Sequence, residues 1–145
     1  MKLRTSIAAV GAAAVVGSGA FALPALASPH ITTHTLTFIS ETKTTLSLTK
    51  TSVAIQDTDV SKAGKIVGFD EIYGVATSAT SSAANVTIDT DGGMLYGTFT
   101  INLKTGKITN AKVVGGTGAF KNAAGTFTAK DINSTDTAIA VTYST

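Results

Sequence analysis

From residue 33 to the end of the chain, apolar and polar positions alternate in short runs separated by turn residues. Alternation places successive side chains on opposite faces of a strand, so each run reads as a strand with one face toward a core. The runs predict strands near 33–40, 44–55, 65–76, 84–90, 94–103, 107–114, 124–130 and 136–143, with almost no helical periodicity. The clearest run sets Leu95, Gly97, Phe99, Ile101 and Leu103 on one face, and Met94, Tyr96, Thr98, Thr100 and Asn102 on the other. The first set is assigned to the core. Asp91-Gly92 suits a tight primed hairpin turn, and Lys104-Thr105-Gly106 a three-residue loop with its glycine left-handed. The small, mostly polar 77–83 segment reads as a loop. Eight such strands predict an all-β fold, an eight-stranded antiparallel β-barrel with room for one small ligand.

The beginning of the chain follows another pattern. Met1-Lys2-Leu3-Arg4 is a short basic start, Ile7 to Leu26 is apolar, and Ala25-Leu26-Ala27 offers a small-x-small cleavage site. This is the layout of a secretory signal peptide over 1–27, with the barrel domain in 28–145 and a secreted destination. Losing Lys2 and Arg4 brings the 11 basic residues down to 9, equal to the 9 acidic ones. No basic stripe remains, so nucleic acid is excluded as a partner, and no membrane association is expected after cleavage. Cysteine is absent. Stability must therefore come from packing, sheet closure or homo-oligomerisation rather than disulfides.

One stretch departs from plain alternation: Gly115-Gly116-Thr117-Gly118-Ala119-Phe120-Lys121-Asn122-Ala123-Ala124-Gly125. Glycines reach positive φ and allow two backbones to approach closely, which a crowded reversal needs. Phe120 is expected to plug one barrel end, with Ala123 beneath a neighbouring strand. Phosphate-binding readings fail. A dinucleotide fingerprint needs glycine where Lys121 stands and a helix where Thr126-Phe127-Thr128 is strand-like, and no Walker sequence is present.

This G-G-T-G-x-F-x-x-A-x-G order resembles the signature of the dirigent and allene oxide cyclase barrel superfamily. Asp57-Thr58-Asp59 followed by Ala63-Gly64-Lys65-Ile66-Val67-Gly68 is similar to the superfamily's acidic turn and Val-Gly strand start. Gly92 to Gly97 is similar to its central glycine-rich strand, and Ala138 to Tyr143 to its closing strand. The exported, cysteine-free form is similar to bacterial members. The resemblance implies a barrel that binds a small hydrophobic or phenolic molecule and steers its coupling or cyclisation without a cofactor. It also leaves open a carrier without turnover, or a structural barrel filled by its own side chains. Allene oxide cyclases use a carboxylate on the first strand, where this chain has Phe38. Where dirigent proteins have a small residue, Gln and Gly, Asp70-Glu71-Ile72 stand here.

Several side chains are candidates for chemistry. Asp70 and Glu71 are adjacent on a predicted strand, so a regular strand turns one of them inward whichever face is buried, and a local twist or bulge would turn it to solvent instead. An inward carboxyl among apolar walls has a raised pKa, and Tyr73 or Tyr96 beside it would complete a proton-transfer site. Asp70, Glu71 and Tyr73 are thus the catalytic candidates. Asp57, Asp59, Tyr96 and Phe99 are the ligand-binding ones. Asp57 and Asp59 read either as an acid pair at the barrel mouth or, more plainly, as a solvated turn. Gly115, Gly116, Thr117, Gly118, Phe120 and Gly125 form the structural motif. No metal is expected. His30 and His34 lack neighbouring ligands, and Asp57 opens no calcium loop because Lys62 and Gly68 stand where glycine and glutamate are needed.

Overall fold

The structure, a computed structural model, describes residues 31–145; the signal-peptide expectation for 1–27 lies outside the described residues. The strands are β1 (Thr33–Ser47), β2 (Ser52–Val60), β3 (Ile66–Ser78), β4 (Ser81–Thr90), β5 (Gly93–Asn102), β6 (Ile108–Gly116), β7 (Ala124–Asp131) and β8 (Asp136–Ser144). They pair in chain order, every neighbour antiparallel, and β8 returns to β1 from Thr33↔Ser144 to Glu41↔Asp136. The eight-stranded antiparallel barrel is therefore closed and leaves no free sheet edge. An up-and-down order puts the β1–β2, β3–β4, β5–β6 and β7–β8 hairpins at one end and the other connections at the opposite end.

The first hairpin reverses later than alternation predicts. β1 continues through polar Glu41-Thr42-Lys43, with a bulge between Thr42 and Thr44. The chain turns only at 48–51, where the Leu48 N–H donates to the Ser52 carbonyl at 3.1 Å and the Thr51 N–H to Thr49 Oγ1 at 3.1 Å. Strand β2 shifts accordingly and carries Asp57 and Asp59 within it, so the solvated-turn reading is wrong. The acidic residues lie before the true turn at 61–65, closed by the Gly64 N–H donating to the Ser61 carbonyl at 2.8 Å. The 77–83 segment is likewise not a loop. β3 and β4 stay paired to Ser78↔Ser81, past a bulge between Ala76 and Ser78, leaving only Ala79 and Thr80 between them. Its residues are small, and its inward Ser82 faces a cavity, so the apolar signal is weak there.

The other two predicted turns stand where expected. Asp91-Gly92 joins β4 to β5, but positive φ falls on Gly93 (124°), so the turn is not primed. Asn102 Oδ1 accepts from the Lys104 and Thr105 N–H groups at 2.9 and 3.1 Å, with Gly106 left-handed at φ 72°.

Inward positions of β1 and β4 to β8, with Phe120 of the turn before β7, meet in one core containing Phe38, Val86, Ile88, Leu95, Phe99, Val113, Phe120, Phe127 and Val141. Phe99 and Phe127 pack edge to face with centroids 5.7 Å apart. Leu95 and Val141 are sealed from solvent. Burying such a side chain stabilises the fold by about 1.5–3 kcal/mol, and truncating Leu95 to alanine would cost about 2–5 kcal/mol.

The glycine-rich segment closes one end. After β6 the chain makes a single 3-10 turn, Gly118–Phe120, and swings back into β7. Gly118 has φ 57°, and a Cβ there would collide with the Gly92 carbonyl oxygen. Phe120 and Ala123 are buried, and Phe120 meets Tyr143 edge-on with centroids 5.5 Å apart. The corner is needed because β6 and β7 pair only at Lys112↔Thr126 and Val113↔Gly125. The packed turn holds the end of that seam where few ladder bonds do.

Candidate functional site

A cavity of about 380 Å³ occupies the barrel between the plugged end and the four-hairpin end. Its walls are apolar, with Ile55, Ile72, Val86, Ile88, Phe99 and Phe127 among them. Its width comes from small inward residues, Gly74, Ser82 and Ala84, where larger side chains would fill the space. Along β2 the inward side chains run Val53, Ile55, Asp57, Asp59 away from the hairpin end, and along β3 they run Gly74, Ile72, Asp70, Gly68. Carboxyls therefore replace hydrocarbon at the deep end of the cavity.

Register makes the cluster. Asp57 and Asp70 are cross-strand partners, and Asp59 lies opposite Gly68, which has no side chain to separate it from Asp70. From β1, Ser40 places its hydroxyl between two of the acids: Oγ is 2.8 Å from Asp57 Oδ2 and 3.0 Å from Asp70 Oδ2. Asp57, Asp59 and Asp70 are exposed to only 5%, 1% and 3%. Every lysine among the described residues is exposed, and none lines the cavity. Like charges opposite one another on a sheet are destabilising. An uncompensated buried carboxylate is worse, and protonation is the ordinary escape.

The proton count agrees. Ser40 carries one hydrogen and stands within reach of two carboxyls, while Asp59 and Asp70 meet each other directly. Three oxygen–oxygen contacts need three hydrogens, so two must reside on carboxyls if all are to be hydrogen bonds. Ionised, both Asp59 oxygens are left without a donor, as are Oδ1 of Asp57 and Oδ1 of Asp70. Burial pushes the Asp59 carboxyl up to about 8, with the charges of Asp70 and Asp57 adding to it. Burial and then the Asp57 charge raise Asp70 to about 6, while hydrogen bonds from Ser40 and Asp59 pull it back. The cavity thus ends in a group that can both give and take a proton near neutral pH. Among the described residues, no group of three or more His, Cys, Asp or Glu side chains is arranged to hold a metal ion.

Of the residues singled out from the sequence, Asp70, Asp57 and Phe99 line the cavity, and Asp59 lies against Asp70 below it. Glu71, Tyr73 and Tyr96 are corrections: all three are exposed on the outer face, because β3 buries Gly68, Asp70 and Gly74 and β5 buries Leu95, Gly97 and Phe99. No tyrosine lines the cavity. Its hydroxyl partner is Ser40, which sequence reasoning missed. The available signal was its place two residues after Phe38 on the inward period of the predicted first strand.

By sequence, the chain matches no described protein family and no curated protein. Among solved structures, it is similar to a pyocyanin demethylase with TM-score 0.59 and 17% identity, covering 76% of this chain and 99% of that one. It is also similar to a pterocarpan synthase dirigent protein with TM-score 0.55 and 18% identity, covering 80% of this chain and 85% of that one. Likenesses at such identities establish the architecture, and the chain has the fold of the dirigent and allene oxide cyclase-like barrels.

Proposed function

We propose that this protein is an exported barrel that binds a small, largely apolar molecule such as a phenol and steers its cyclisation or coupling without a cofactor. The observation that carries this reading is the apolar cavity ending in the Ser40–Asp57–Asp70 cluster. A barrel filled by its own side chains would not leave such a space, and a mere carrier needs no carboxyls at its end. Both structural neighbours are named for small organic molecules, pyocyanin and pterocarpan, which supports a small-molecule role. Export rests on the basic start, apolar run and cleavage site of 1–27.

The cyclisation needs only a proton, and the coupling takes phenoxy radicals already formed by an external oxidant. Protonated Asp70 donates to the epoxide oxygen of the bound molecule, the carbon–oxygen bond breaks, and an internal hydroxyl adds to the electron-poor carbon. The proton of that hydroxyl returns to Asp70, so an epoxide rearranges with no net gain or loss of atoms. Asp59 lies behind Asp70 and shares its proton, and the apolar walls keep water from the cation.

The experiment compares wild type with Asp70→Asn for binding of a phenolic probe and for turnover of epoxide and phenoxy-radical substrates. Loss of turnover with binding retained supports the enzyme. Binding without turnover in the wild type makes the barrel a carrier, and absence of both refutes the ligand-binding reading.

A further inference from the structure

The deep end of the cavity is one-sided in its hydrogen bonding. Two carboxyls line its deep end and a third backs them, yet Ser40 is the one side-chain donor that reaches them. Asp57 is nine-tenths buried and lines the cavity, and its Oδ1 has no donor at all. Asp70 Oδ1 is equally without one unless Asp59 is protonated. The other titratable group lining the cavity is Asp131, exposed near the β7–β8 hairpin, again an acid. Among the described residues, no lysine or histidine lines the space. Unmet buried acceptors are costly, and charge-assisted hydrogen bonds recover the most.

Building on the ligand-binding reading, we infer that the cavity selects a molecule with an apolar body and a cationic, donor-rich head, a primary or secondary ammonium, and rejects carboxylates. A phenol offers one donor and no charge. An ammonium offers two or three, enough to reach Asp57 and Asp70 across the β2–β3 pair together, and its charge replaces the proton that the cluster otherwise needs. A carboxylate would set a further acceptor against acceptors and add a buried negative charge. Binding of the ammonium therefore displaces a proton from the Asp59–Asp70 pair, while a neutral ligand leaves that proton in place.

The test uses one aromatic body with four heads: 2-naphthylmethylammonium, 2-naphthol, 2-methylnaphthalene and 2-naphthoate, each titrated into the purified protein by probe fluorescence. At pH 8 the ammonium is expected to bind about tenfold or more tighter than 2-naphthol, and 2-naphthoate more weakly than the hydrocarbon. Affinity for the ammonium should rise from pH 5.5 to 8.5 with release of a proton, read from calorimetry in buffers of different ionisation heat. Affinity for 2-methylnaphthalene should stay level. In Asp70→Asn the ammonium should lose its advantage over 2-naphthol; Asp57→Asn serves if the first variant does not fold. Equal binding of ammonium and naphthol, tighter binding of naphthoate, or an unchanged preference in a folded variant overturns the inference while leaving a ligand site in place. If none of the four binds, the ligand-binding reading falls with it.

Discussion

Two neighbouring regions of this barrel interior are built on opposite physical terms. At the plugged end, the glycine corner spends its residues on backbone: Gly118 takes φ 57° under the Gly92 carbonyl, and Gly125 lies so close to β8 that a Cβ would overlap the Thr142 oxygen. Beside it, Asp57, Asp59 and Asp70 place three acids where hydrocarbon would stabilise the fold better. The first region resists any added atom. The second resists an added charge and would accept a neutral atom in the same place. A segment that is costly to alter because nothing fits differs from one that is costly to keep because of what it holds. The second kind marks a site that stability alone does not explain.

The largest expected effect breaks the first region. Gly125→Val sets a branched side chain against the Thr142 carbonyl and the Tyr143 Cα, which lies 2.7 Å from the added Cβ. The β6–β7 seam has little pairing with which to absorb a shift. The cost should be about 3 kcal/mol or more, read from denaturant unfolding. Gly115→Ala is the control, since its Cβ would meet only Tyr96 Cδ2 at 3.8 Å. A stable Gly125→Val would mean that the corner is not packed as described.

The next effect is a pH dependence set by the acids. Asp59 and Asp70 have an ordinary value of 3.8 and are raised to about 8 and about 6 in the folded chain, so the folded state binds more protons than the unfolded one. Their stabilising contribution is complete below about pH 4 and is lost as pH rises through about 6 and then about 8. Thermal unfolding should show the protein more stable at pH 5 than at pH 8.5, by on the order of 2 kcal/mol. A flat or rising profile in that window would mean that the acids are solvated.

Asp59→Asn sharpens the same contrast. The amide keeps the shape, donates to Asp70 and carries no charge, so it acts as a permanently protonated Asp59. At pH 8.5 the variant should be more stable than wild type by about 1 kcal/mol, with most of the pH slope gone. Destabilisation at every pH would show instead that an ionised Asp59 is part of the fold.

How far each region could be read in the sequence follows from the same difference. The corner was legible because its demands are local: glycine spacing and Phe120 announce a tight reversal whatever surrounds it. Closure was legible too, because eight strand-like runs with almost no helical periodicity leave a closed sheet as the way to remove free edges. The acid cluster was legible only in part. That one of Asp70 and Glu71 must face inward follows from period two, but which one depends on register, and a slip of one residue exchanges the faces. Asp57 and Asp59 looked like a turn because acids and threonines also make turns. Only pairing with β3 shows that they continue a strand, and Ser40 joins them through the β1–β2 register, which no local pattern carries.

The smallest effects test the neighbours that point away. Glu71 is adjacent to Asp70, and Tyr73 lies two residues further along the outer face, with Tyr96 on β5 also facing out. All three are exposed, Tyr73 to 46% and Tyr96 to 37%. Glu71→Gln, Tyr73→Phe and Tyr96→Phe should each change stability by less than about 0.5 kcal/mol and leave probe affinity unchanged within error. Asp70→Asn, one residue from Glu71, should abolish turnover. The pair Glu71→Gln and Asp70→Asn isolates orientation, because both remove one carboxylate from the same strand within one step of chain. If Glu71→Gln cost as much as Asp70→Asn, the strand would be facing the other way, and the cavity described here would not be the site.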